Sequence, residues 1–404
     1  MKRLTTLCAI ACGLLLHSCQ QFQDVKSTDD IAGISTTVEL YINADESLPR
    51  PSSYTVKCTN FADRFEVVKT VKPNEDAVIE GLIPGIYTIT ISGEAPKDGF
   101  TFNYKGSLVN TQIVTNGQKM KVEVAASKSG AIILKEIFFC GSRTPKGGSY
   151  FRDQYYELYN NGNEIQYLDG LCLGNMLPQN ATANLPVWPE EYAKTHIFMA
   201  VAWQIPGSGT DYPLAPGESA IIAQMADNHQ QEHLNPTSPV NLITAEFETF
   251  VNSTSLIKDN PAINLDIAFW PRQVPQWLVT VSGGAYALFN PENPIDPTKY
   301  VTPIGSTEKA YPIKYDDVID AVELVSDETK MKLKRVPAIL DAGATFVGGT
   351  YISKSVSRKV KERLPDGRII FLDTNDSTED FEIQDNPTIR RYGTASPSWN
   401  TWSK

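Results

Sequence analysis

The chain carries only four histidines in 404 residues, and it has no run of Lys or Arg, no G-x-S-x-G nucleophile motif and no glycine-rich phosphate loop. So little histidine leaves few ways to assemble a general base or a metal cluster, and the missing motifs leave no visible nucleophile or nucleotide cradle. Acidic residues outnumber basic ones, 47 to 36, for a net charge of −11, which disfavours nucleic acid as a partner. Cysteine is sparse. Besides Cys8, Cys12 and Cys19 near the start, only Cys58, Cys140 and Cys172 remain, an odd and irregularly spaced set that argues against a disulfide-stapled scaffold or a cysteine zinc site. After the N-terminal apolar run, no hydrophobic stretch approaches membrane-spanning length.

What is present begins at the N-terminus. Lys2 and Arg3 precede the apolar run Leu7–Leu16, a charged start and short core that suit an export signal over residues 1–18. Leu16-His17-Ser18-Cys19 resembles the lipobox of bacterial lipoproteins, which implies cleavage before Cys19 and lipid on its sulfur. Losing Lys2 and Arg3 takes the net charge from −11 to −13. Residues 19–33 are polar and unpatterned, as expected of a lipidated tether. The expected location is therefore outside the cytoplasm, anchored to the outer membrane through lipid, at the cell surface.

Over residues 34–126, short alternating segments such as Thr37–Ile42, Tyr54–Cys58 and Ile86–Ile91 predict a small antiparallel β-sandwich. Gly81-Leu82-Ile83-Pro84-Gly85-Ile86-Tyr87 resembles the G-L-x-P-G-x-Y corner of prealbumin-like and carboxypeptidase-regulatory-like domains, which implies a spacer module. Ala126–Gly130 reads as a linker. From 131 to 404, four blocks stand in the order of a lamin-tail-type immunoglobulin-like domain: Glu136-Ile137 with Gly141, Tyr155–Leu173 read as strand, Asn-Asn-Gly turn and strand, Leu214–Ala223, and Asp373–Phe381. Their spread requires a large loop-rich insertion at about 224–350, in which only Tyr315–Leu324 has helical spacing. The combination resembles a Bacteroides-type lipoprotein family of unknown function. The predicted fold is all-β, two β-sandwich domains, the second immunoglobulin-like.

Candidate site residues are few. His229-Gln230-Gln231-Glu232-His233 has the H-x-x-E-H order of an inverted zinc-peptidase motif, yet Asn235-Pro236 cuts off any helix, so His229 and His233 read as an ordinary turn before a metal pair. Asp373, Asn375, Ser377 and Glu379 alternate as in a calcium loop, but Thr378 stands where an EF-hand needs glycine. Asp376-Ser377-Thr378 resembles a Bacteroides-type O-glycosylation acceptor at Ser377. Trp270, Trp277, Trp399 and Trp402 are the candidates for stacking on a sugar or planar ligand. The reading that follows is a non-enzymatic surface binding or accessory lipoprotein that needs no cofactor, its partner a glycan or an outer-membrane TonB-dependent transporter. The alternatives are an adhesive or structural module and, third, a zinc-dependent hydrolase on His229 and His233.

Overall fold

The computed structural model describes residues 33–402 except 45, 47, 61, 98–99, 255–256 and 278. The export signal, Cys19 and nearly all of the tether lie outside the described residues. What is described is almost entirely β-structure, as expected.

The first body is one seven-stranded sheet folded on itself. Its strands are β1 (Ile34–Asn43), β2 (Tyr54–Asn60), β3 (Phe65–Val71), β4 (Ala77–Leu82), β5 (Gly85–Lys97), β6 (Phe100–Ile113) and β7 (Gln118–Ser129). They run in the order β3-β2-β5-β6-β7-β1-β4, antiparallel except for the β1–β7 pair. Alternation decides which face is inside: Tyr54, Val56 and Cys58 on β2 meet Ile89 and Ile91 on β5 and Val122 and Val124 on β7. The Pro84-Gly85 corner is tied down by Tyr87, whose hydroxyl donates to the Ile83 carbonyl at 2.7 Å and accepts from the Ile83 amide at 3.1 Å. Tyr87 is fully buried, so the corner residue is a strut of the core.

The second body is a two-sheet sandwich. One sheet comprises β8 (Ile132–Phe138), β9 (Tyr155–Asn160), β12 (Ser219–Ala223), β13 (Phe247–Glu248), β14 (Ile263–Asn264), β19 (Ser355–Arg358) and β22 (Phe381–Gln384), in the order β14-β13-β12-β9-β8-β19-β22. The other comprises β10 (Cys172–Met176), β11 (His196–Gln204), β15 (Asp266–Phe269), β16 (Ala285–Phe289), β17 (Val318–Val325) and β18 (Thr345–Phe346), in the order β15-β11-β10-β16-β17-β18, with the strand Tyr311–Lys314 also paired to the start of β11. Leu134, Tyr156, Leu158 and Ile221 from the first sheet interlock with Leu173, Trp203, Tyr286, Val322 and Leu324 from the second. Both sheets are also covered outside. A hairpin of β20 (Val360–Arg363) and β21 (Ile369–Phe371) lies over Ile133 and Tyr159, and the Val336 and Leu340 segment lies over Ala287 and Phe289.

Four expectations change. The 224–350 stretch is loop-rich but more than an insertion: it also supplies β16 and β17 within the second sheet, because covered strands need apolar residues on both faces and so lose the alternation that marks a strand. Tyr315–Leu324 is one 3₁₀ turn, Tyr315–Asp317, leading into β17; pairing with β16 overrides the helical spacing. The Asn160–Gly162 turn makes no hairpin, since β9 and β10 belong to opposite sheets. Nor is 126–130 a free linker. Strand β7 continues to Ser129, and a Cβ on Gly130 would stand 2.2 Å from Ile319 Cγ2 of the second body. Lys57 Nζ meets Glu379 Oε1 at 2.6 Å across the same junction.

Candidate functional site

His229 sits in a turn just beyond β12 and is fully buried. Its Nε2 lies 2.9 Å from the Met225 carbonyl, which can only accept, so Nε2 carries the hydrogen and Nδ1 accepts the Tyr150 hydroxyl at 2.8 Å. Burial drives its pKa down to about 4, so the ring is neutral at physiological pH. His233 is exposed. The two histidines therefore form no metal pair, because both nitrogens of one are committed to the protein. Among the described residues no three His, Cys, Asp or Glu side chains gather as a metal site.

The acidic loop disperses in the same way. Asp373 Oδ1 meets Arg358 Nη1 at 3.1 Å, Ser377 donates to Asp341 at 2.6 Å, Glu379 reaches Lys57, and Asn375 uses its carbonyl to accept from Ala342 at 2.7 Å. With the Asp373, Ser377 and Glu379 side chains turned to three different partners and the Asn375 backbone carbonyl tied to Ala342, the residues make no calcium loop. Asp376 instead caps the short helix Ser377–Asp380. Ser377 is 3% exposed with its hydroxyl bound, so it is no accessible glycosylation acceptor.

The tryptophans divide. Trp277 is interior, stacked on Tyr156 with ring centroids 5.8 Å apart and its indole N–H on Asn175 at 3.1 Å, so it is no ligand platform. Trp270 is half-buried at a cleft shared with Arg272, Glu308 and Lys309. Trp399 and Trp402 are half-buried and donate to the Pro213 and Ala245 carbonyls at 2.8 and 2.9 Å, which pins the C-terminus.

That pinned segment is what the residues alone did not reveal. Residues 386–402 form a strap over a patch of buried charge. The β8–β9 ladder skips Lys135, a bulge that lets Lys135 and Glu136 both reach the strap. Lys135 Nζ meets Glu157 Oε1 at 2.7 Å, both side chains fully buried, and also donates to the Arg391 carbonyl at 3.0 Å and Thr394 Oγ1 at 3.2 Å. Glu136 takes Arg391 Nε at 2.8 Å and the Thr388 amide at 3.0 Å, while Glu246 takes Arg390 and Asn400. Burial raises the pKa of Glu246, and Arg390 opposes it. The signal that could have found the patch is charge inside two mostly apolar runs, Lys135-Glu136 within Ile132–Phe138 and Glu157 within Tyr155–Tyr159: an interior charge must be paired.

The strap also holds strained backbone. Arg390 and Tyr392 lie in the left-handed region at φ 52° and 69°, which costs L-residues about 1–2 kcal/mol each. There the strap forms one wall of an open cleft of about 530 Å³, bounded by the Pro216-Gly217 turn and by Asp366 and Arg368 at the tip of the β20–β21 hairpin.

A protein-family model described as "Protein of unknown function (DUF4876)" matches residues 215–388, from the β12 turn to the start of the strap. The solved structure of a DUF4876 family protein from Bacteroides thetaiotaomicron is 39% identical, covering 91% of this chain and 99% of that one, with a TM-score of 0.65. The chain belongs to the DUF4876 family. A candidate adhesin from Bacteroides ovatus is 9% identical over 76% of this chain and 88% of that one, at a TM-score of 0.20, too low to support a common fold. No curated protein matches. The DUF4876 relationship therefore establishes kinship and brings no activity with it.

Proposed function

We propose that this DUF4876 protein is a non-enzymatic binding or accessory lipoprotein, held at the outer cell surface by lipid on Cys19. The observation that carries the proposal is the Leu16-His17-Ser18-Cys19 lipobox, followed by a short polar tether and a double β-body. Support comes from the chemistry of the interior. His229 and the acids of the 373–379 loop are spent on holding the fold. We read the first body as a prealbumin-like spacer joined by two residues to an elaborated lamin-tail-like sandwich, so that anything bound by the second is held beyond the first.

The partner is a glycan or an outer-membrane transport barrel, with which an anchored lipoprotein can associate without a large soluble interface. The test is affinity purification of the full-length protein from detergent-solubilised outer membranes, beside a Cys19→Ala form. Co-purification of a stoichiometric β-barrel protein with the lipidated form alone supports the reading. Recovery of the wild type from the soluble fraction, alone and not lipidated, overturns it.

A further inference from the structure

The cleft beneath the strap brings together four chain segments: the turn at Asn163, the Pro216-Gly217 turn, the hairpin tip bearing Asp366 and Arg368, and Tyr392–Thr394 of the strap. Its volume, about 530 Å³, falls within the several hundred cubic ångströms usual for small-ligand sites. We infer that it is a binding site for a neutral saccharide, with Asp366, Arg368 and Asn163 engaging ring hydroxyls and Tyr392 standing at the rim. This rests on the binding-protein reading above and names its ligand class.

Three observations converge. The first is the chemistry of the walls: the Asp366 carboxylate, the Arg368 guanidinium and the Asn163 amide supply acceptors and donors side by side, which is what vicinal sugar hydroxyls match. Arg368 is set in place by donating from Nη1 to the Gly162 carbonyl at 2.7 Å, and Asp366 by accepting the Arg368 amide at 2.9 Å. With Asp366 Oδ2 only 3.7 Å from Arg368 Nε, the two charges offset each other and the cleft does not select an anion.

The second is Tyr392. Its side chain is 42% exposed and its hydroxyl makes no hydrogen bond among the described residues, yet its ring is held between Arg363, 5.4 Å away, and Phe371, at 6.1 Å. A half-exposed ring held in one place is a low-entropy surface for a weak polar ligand.

The third is the strap. Arg390 and Tyr392 hold left-handed backbone in a strap that Lys135, Glu136, Glu157 and Glu246 grip from below. Phe371 takes only part of the Tyr392 ring, so the strain held at this rim presents a ring face left open to a ligand. At Gly367 and Gly393 a Cβ would meet open space, so a sugar ring can approach the backbone at both walls.

The test titrates the purified protein with neutral oligosaccharides (glucans, mannans and galactans) and, separately, with uronate-containing ones, by saturation-transfer NMR and calorimetry. Tyr392→Gly, which suits the left-handed backbone, and Asp366→Ala run alongside. At least one neutral oligosaccharide binds the wild type, and each variant weakens it about tenfold or more, the loss of one good hydrogen bond or ring contact, with an unchanged melting temperature. Silence across the neutral panel, binding confined to uronates, or equal binding by both variants overturns the inference. None of these results touches barrel co-purification, so the surface-lipoprotein reading stands or falls separately.

Discussion

His229 shows what burial does to a single group. Its folded pKa, about 4, lies below the ordinary value of 6.5, so the folded state resists the proton that the unfolded chain accepts. The stability this contributes is complete above pH 6.5 and is lost as pH falls through 6.5 toward 4, by about 3 kcal/mol over the window. Asp153 has the opposite sign: burial raises it to about 6, so below that pH the folded state binds the extra proton and gains stability. The residue-specific result is therefore a difference. His229→Gln, which keeps an acceptor for Tyr150 and a donor for Met225, melts below the wild type at pH 7.5, and the gap narrows at pH 5. An equal gap at both pH values contradicts a neutral buried imidazole. The H-x-x-E-H order was legible in the residues, as were the helix-breaking Asn235-Pro236; that His229 is buried was not, because Tyr150 lies 79 residues away in sequence.

Among the elements, the strap and the Tyr87 corner are the informative ones. Lys135→Met leaves Glu157 buried without its cation and lowers unfolding free energy by about 3–5 kcal/mol in urea titrations, whereas the Lys135→Met, Glu157→Met pair recovers most of the loss. If the double variant is as unstable as the single, the charge pair is not what grips the strap. Tyr87→Phe removes both hydrogen bonds to Ile83 and costs about 1–3 kcal/mol, read in the same way. The first body was legible because its strands alternate, as Tyr54, Val56 and Cys58 do against their solvent-facing neighbours. β16 and β17 were not. Ala285–Phe289 is buried at every position, so it carries no period, and its place between β10 and β17 is set by partners more than 25 residues distant.

For the whole molecule, the two bodies are joined tightly. Lys57–Glu379 is partly exposed and worth under about 1 kcal/mol, so removing it changes little. Gly130 matters more, because any side chain there strikes Ile319. Gly130→Val splits a single calorimetric transition into two; one unsplit transition in both proteins contradicts a shared junction. The binding cleft was out of reach of sequence reading for the same reason as the strap: Asn163, Asp366 and Tyr392 meet only after the hairpin and the strap have closed over β8 and β9.

The proposed function stands on lipid at Cys19, which metabolic labelling with an alkyne-bearing palmitate detects on the protein itself. The expected result is label on the wild-type protein in the outer-membrane fraction and none on Cys19→Ala, which is released in soluble form. Equal labelling of both, or an unlabelled wild type that fractionates with soluble proteins, contradicts it.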